Sequence, residues 1–185
     1  MQGKSQLEAR SAQQQVYVGI DACKEHLDAY LHPGGQRLRV ANHRDGIGRL
    51  KRALKQHDIA LVVIEATGKF HRLAQRSLAD GGFAVAVVNP LRSRLFAEAL
   101  GTHAKTDRVD ARMLAVLGEA LAPEARPPVP IAIEALQELV HAHGAAVANR
   151  TALHNRLAAS QVAFLQSELK RQIANLERHI SRLAD

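Results

Sequence analysis

The chain contains no tryptophan, and its two tyrosines and four phenylalanines bring aromatics to only 3% of 185 residues, although apolar residues reach 46%. Its core must therefore come from Ala, Val, Leu and Ile, which suits a sheet covered by helices. One cysteine, Cys23, excludes an internal disulfide and agrees with a reducing compartment. With no His and Asn pattern tied to it, Cys23 reads as a small half-buried side chain before it reads as a catalytic thiol. The ten histidines are dispersed and Cys23 has no cysteine partner, which argues against zinc. No apolar run approaches the roughly 18 residues of a membrane span, and residues 1–15 are polar where a signal peptide would be apolar. A cytoplasmic chain with no membrane partner is expected.

What the chain has in excess is positive charge: 25 Lys and Arg against 18 Asp and Glu give a net charge of +7 and a pI of about 10.1. A polyanion is the natural partner, nucleic acid ahead of an anionic membrane, because cations that neutralise phosphates release condensed counterions. The excess is local. Residues 1–130 hold 19 basic against 13 acidic side chains, whereas residues 131–185 hold 6 against 5.

Length allows one well-buried domain plus an extension. Residues 1–15 read as a disordered leader. Val16–Asp21 is an apolar strand ending in a carboxylate, and Leu27–His32 and Arg37–Ala41 alternate like strands around the turn Pro33-Gly34-Gly35. From Asp45 to His57, Ile47, Leu50 and Leu54 recur at helical spacing with Arg49, Lys51, Arg52 and Lys55 between them, predicting an amphipathic helix with a basic outer face. Ala60–Glu65 is an apolar run suited to a strand covered on both sides, and it too ends in a carboxylate. A helix over Phe70–Ala79, a strand over Phe83–Val88, and helices over Leu91–Leu100 and Asp107–Leu121 follow. Residues 123–130 carry four prolines and form a linker, so residues 16–122 make one domain. In residues 131–185, Leu169, Ile173, Leu176, Ile180 and Leu183 repeat at four- and three-residue steps, a coiled-coil seam. That helical region serves a homo-oligomer or folds back as a hairpin.

The order β-β-β-α-β-α-β follows, and it suits an RNase H-like mixed α/β sheet flanked by helices. There the first strand lies beside the fourth and parallel to it, so Asp21 and Glu65 would meet at one edge; open sheets place their sites outside the carboxyl ends of strands. Asp107 and Asp110 stand three residues apart at a helix start and point to one face. Four converging carboxylates repel one another unless a hard cation, Mg²⁺ or Mn²⁺, takes their oxygens. Two such ions roughly 3.5–4 Å apart would suit in-line phosphoryl transfer on a nucleic acid. Lys105, Arg108 and Arg112 beside the second pair, with Arg92 and Arg94 after Asn89-Pro90, are candidates for the phosphates. The plainer reading of Asp107 and Asp110 is a helix cap with a first-turn acid, and of Asp21 or Glu65 a turn residue. The set of four within a basic domain outweighs it.

Val18-Gly19-Ile20-Asp21, Ile64-Glu65-Ala66-Thr67-Gly68, Val87-Val88-Asn89-Pro90 and Ala104-Lys105-Thr106-Asp107-Arg108-Val109-Asp110-Ala111 together resemble the N-terminal domain of the DEDD-type insertion-sequence transposases, the IS-one-ten family, which includes the Piv-type DNA invertases. The resemblance implies a RuvC-like fold with Asp21, Glu65, Asp107 and Asp110 as metal-binding acids, and DNA rearrangement as the activity. It also implies a structured guide RNA in some members, and a further C-terminal domain supplying a nucleophilic serine. A chain stopping at residue 185 would carry the metal half of such a site, so it reads as a fragment or truncated copy. A Holliday-junction resolvase on the same fold, and a non-catalytic nucleic-acid-binding dimerisation module, are the competing expectations. A sugar-kinase or actin-like relative is more distant, since no glycine-rich phosphate loop follows the first strand.

Overall fold

The computed structural model describes residues 15–101 and 111–184. These fall into two compact units that divide between Pro128 and Val129. The leader expected over residues 1–15 lies outside the described residues but for Gln15.

The first unit is built on β1 (Val16–Ala22), β2 (His26–His32), β3 (Arg37–Ala41), α1 (Arg44–Leu54), β4 (Ile59–Glu65), α2 (Arg72–Asp80), β5 (Val85–Val88), α3 (Pro90–Ala99) and α4 (Ala111–Leu121). Its five strands form one sheet in the order β3-β2-β1-β4-β5. β1, β2 and β3 are an antiparallel meander, while β4 is parallel to β1 and β5 parallel to β4. This strand order, with helices on both faces, is the RNase H-like arrangement.

Side-chain alternation divides the core between the two faces. On one, Val18, Ile20, Leu27, Leu31, Val62 and Ile64 meet Ile47, Leu50 and Leu54 of α1 and Ala74 and Leu78 of α2. On the other, Leu61, Val63, Ala86 and Val88 meet Leu114 and Leu117 of α4. Each fully buried Leu, Ile or Val contributes roughly 1.5–3 kcal/mol relative to an exposed one. β1 and β4 are apolar up to their terminal carboxylates because both their faces are covered, while β2 alternates between buried and half-buried residues.

α4 approaches β1 unusually closely. A Cβ at Gly19 would collide with Ala111 O and Ala115 N and come within 2.8 Å of Leu114 Cβ, so only glycine fits. At Gly118 a Cβ would come within 2.9 Å of Val63 Cγ2. The glycine and alanine side of α4 thus fixes its height above β1 and β4.

Element ends depart from the sequence expectation where backbone capping intervenes. Phe83 was expected in β5, but its N–H bonds Leu78 O at 3.2 Å after Gly82 turns with φ +87°, so it belongs to the end of α2. α1 closes at Leu54 rather than His57, because Gln56 and His57 donate to Ala53 O and Leu54 O in a tighter turn.

The second unit holds α5 (Ile131–Ala159) and α6 (Ala163–Ala184), joined by three residues and packed on each other as a helical hairpin. Leu169 and Ile173 of the expected seam are buried, and Leu176, Ile180 and Leu183 are half-buried. No helix among the described residues is long and apolar enough to cross a membrane.

Candidate active site

Ile20 pairs with Ile64 across the parallel β1 and β4, so Asp21 and Glu65 stand side by side at the carboxyl ends of neighbouring strands. Alternation decides which way they point. Asp21 lies two residues beyond Gly19 and Glu65 two beyond Val63, so both emerge on the face that α4 covers. α4 runs from Ala111 above Gly19 to Gly118 above Val63, and its first residue therefore sits at the acidic edge.

Both carboxylates are half-buried. The Glu65 carboxyl is pushed above the usual glutamate range, chiefly by burial, and the Asp21 charge pushes the same way; the Ser93 hydroxyl and the Arg94 cation pull it back. Two neighbouring acids, one of them with its carboxyl raised by burial and by the other's charge, favour positive charge beside them.

The Ser93 hydroxyl donates to Glu65 Oε2 at 2.8 Å and also lies 3.0 Å from Pro90 O. Ser93 is fully buried, the one polar side chain so buried among the described residues. The local sequence explains its position. Asn89 caps α3 by accepting from Leu91 N–H at 2.8 Å, Pro90 fills the first turn, and Ser93, Phe96 and Ala97 then form the inward stripe. Ser93 heads that stripe at the acidic edge, and this was the signal that could have found it.

Of the expected phosphate ligands, Arg92 and Arg94 are exposed on α3, with Arg94 close enough to Glu65 to act on its charge. Arg112 is exposed in the first turn of α4. Asp107, Asp110, Lys105 and Arg108 lie outside the described residues. Among the described residues, no three His, Cys, Asp or Glu side chains gather where a metal could be held.

Two further neighbours were not foreseen. Asp28 pairs with Asp21 across β1 and β2, but Arg39 engages both its oxygens, at 2.6 and 2.8 Å, and holds its carboxyl below the usual aspartate range. Its charge is thereby spent on a structural clamp. Asn42 Nδ2 donates to Cys23 O at 2.8 Å and to Phe70 O at 2.9 Å, tying together the loops that follow Asp21 and Glu65. Cys23 Sγ is 3.2 Å from His26 Nδ1, and the thiol is half-buried, as the sequence suggested. In the loop after Glu65, Gly68 has φ +51° and a Cβ there would meet nothing within 4 Å, so conformation rather than crowding calls for glycine.

The chain is similar in sequence to proteins whose names denote the rearrangement of DNA. The pilin gene-inverting proteins of Moraxella bovis and Moraxella lacunata are each 31% identical over 109 residues, which is 56% of this chain and 34% of theirs. The chain thus spans about a third of the length of these curated relatives. A solved structure, T. thermophilus RuvC in complex with Holliday junction substrate, is similar at 18% identity and a TM-score of 0.33, covering 64% of this chain and 85% of that one. A family described as transposase, the DEDD type of the IS110 (IS-one-ten) elements, matches residues 18–165, from β1 into α6. That match takes in most of the chain, and the chain therefore belongs to the IS110 DEDD transposase family.

Proposed function

We propose that this chain is the metal-binding part of a DNA transposase or site-specific recombinase that cleaves and joins phosphodiesters during movement of an insertion sequence. The observation that carries the reading is the meeting of Asp21 and Glu65 on one face, at the carboxyl ends of two adjacent parallel strands. Family membership and a net charge of +7 support DNA as substrate. The name of the Moraxella relatives points to inversion of a DNA segment as the kind of rearrangement involved.

Asp107 and Asp110 complete the acidic set in this reading. Support comes from Ala111, the residue after Asp110, which is packed above Gly19 and two residues from Asp21. The donors present are hard oxygens, and the Asp21 charge adds to the cost of ionising Glu65; both features fit Mg²⁺ or Mn²⁺, in one or two ions. Bound there, divalent cations would supply Lewis acidity to a phosphodiester undergoing in-line displacement. Ser93 holds Glu65 in orientation. Arg94, Arg92 and Arg112, with Lys105 and Arg108, bind and align the phosphate backbone. The chain's own part is metal and strand placement, and the nucleophilic serine comes from a further domain of the whole protein.

The same reading makes the partners DNA and a structured guide RNA, in the cytoplasm. It also makes the helical unit a homo-oligomer contact, favoured by exposed Ile131, Ile133, Leu136, Leu139 and Val140 along α5. Titration calorimetry with Mn²⁺ tests the site. Wild type is expected to bind at micromolar to millimolar Mn²⁺, and Asp21→Asn and Asp107→Asn not to bind; equal binding by all three sinks the proposal.

A further inference from the structure

The face of the sheet opposite α4 presents a different chemistry. α1 and α2 lie side by side there, with a Cβ at Gly81 only 3.0 Å from Lys51 Cδ. α1 and its C-cap carry Arg44, Arg49, Lys51, Arg52 and Lys55 against one acid, Asp45. Arg44, Arg49, Arg52 and Lys55 are exposed, and among the described residues none of the five basic side chains is seen in an ion pair.

Two ordinary explanations do not account for this helix. The helix dipole favours Lys51 and Arg52 in the last turn, but it disfavours Arg44 at the first position. A salt-bridged solvent face would alternate signs. Here Arg49 with Arg52, Arg52 with Lys55, and Lys51 with Lys55 place like charges three or four residues apart, which destabilises a helix. α4, on the opposite face, carries only Arg112 and Glu119. On the α4 side the exposed arginines sit near the acidic edge, at Arg92, Arg94 and Arg112, whereas on α1 basic side chains run the length of the helix.

Its direction is informative. β3 runs parallel to β1, because both are antiparallel to β2, so α1 begins at the edge where Asp21 and Glu65 stand and descends away from it. Asn42, two residues before α1, bonds the loops of that edge. From Arg44 to Lys55 the helix covers about 17 Å at 1.5 Å per residue. Over that length one strand of a duplex presents about five phosphates.

We propose that the outer face of α1 is a docking track for a nucleic-acid phosphate backbone, leading from the acidic edge across the face of the sheet away from α4. It deepens the functional reading above by giving the same nucleic acid a second contact, and it rests on that reading only for the identity of the polyanion as DNA. The backbone is that of duplex DNA, because the track starts at the acidic edge to which the proposed reaction brings its DNA strand.

The test uses the full chain in EDTA, with labelled random-sequence duplex DNA and a labelled hairpin RNA, by anisotropy over a salt series. The Arg49→Glu/Arg52→Glu/Lys55→Glu variant is expected to lose at least about tenfold in affinity for the duplex. Its salt slope for duplex should fall by roughly two to three, at about 0.9 per phosphate contact. A loss confined to the hairpin RNA overturns the assignment of the track to DNA. Arg49→Gln/Arg52→Gln/Lys55→Gln, which keeps helix propensity, is expected to change both quantities in the same direction by less. Unchanged affinity and slope for both nucleic acids overturn the proposal, as does an equal loss in Arg178→Glu/Arg182→Glu on α6, which would trace the effect to net charge. Absence of Mn²⁺ binding by wild type would overturn the metal reading and leave the track standing; an unaffected triple variant would do the reverse.

Discussion

Ser93 Oγ stands 2.8 Å from Glu65 Oε2 and donates to it from a fully buried position. Groups that orient a metal ligand from behind change affinity by about 10–100-fold when removed. Ser93→Ala is therefore expected to weaken Mn²⁺ binding at least about tenfold while circular dichroism and gross stability stay close to wild type. In a Glu65→Gln background the same substitution should cost almost nothing further in affinity. Additive losses would show that Ser93 acts on the fold and not through Glu65.

Glu65 has its pKa raised, first by burial and also by Asp21. For a raised group the folded state favours the protonated form. Its stabilising contribution is full below the ordinary glutamate pKa and is lost as pH rises through the raised one. In EDTA, wild type is expected to lose thermal stability relative to Glu65→Gln between mildly acidic and neutral pH, and added Mg²⁺ is expected to reverse the order at neutral pH. Melting curves across that range check both; parallel curves for the two proteins would contradict the assignment.

The approach of α4 to β1 separates three glycines. Gly19→Ala meets backbone of α4 and should cost about 1–3 kcal/mol or more, as overpacking does. Gly118→Ala meets one methyl of the Val63 side chain at 2.9 Å and no backbone as near, so its cost should be smaller than at Gly19. Gly48→Ala, inside α1, meets only Arg52 Nη1 at 3.8 Å and should stabilise by up to about 1 kcal/mol through helix propensity. Urea denaturation ranks the three, and any other order would refute this account of the packing.

Apolar side chains stay exposed on the first half of α5, where Leu136 is 55% and Val140 60% accessible. With these faces covered by another copy, wild type is expected to scatter light as an oligomer at tens of micromolar. Leu136→Ser/Leu139→Ser should scatter as a monomer. A monomeric wild type would remove the oligomer proposal and leave the hairpin as a self-contained unit.

The sheet was legible because its signals are local and periodic. Val16–Asp21 and Ala60–Glu65 announce covered strands by unbroken apolar runs, and each closes on the carboxylate that matters. The shared face of Asp21 and Glu65 follows from period-two alternation once β1 and β4 are adjacent. Asn42 and the Asp28 clamp were not legible, and Ser93 was legible only as a place on an inward stripe, because each acquires its meaning from a partner 11 to 28 residues away: Glu65 for Ser93, Phe70 for Asn42, Arg39 for Asp28. A serine between two arginines looks like helix surface until Glu65 is placed behind it. The end of α1 and the start of β5 shifted for a milder reason, since capping bonds compete with hydrophobic pattern over the last turn.

The neighbouring ends of β1 and β4 are separated by the whole meander and α1. While a ribosome is still delivering the chain, Asp21 has no acidic companion from β4 until residue 65 has emerged and β4 has slotted in beside β1. The paired acids proposed as the metal site would thus be absent from every half-made copy by topology alone.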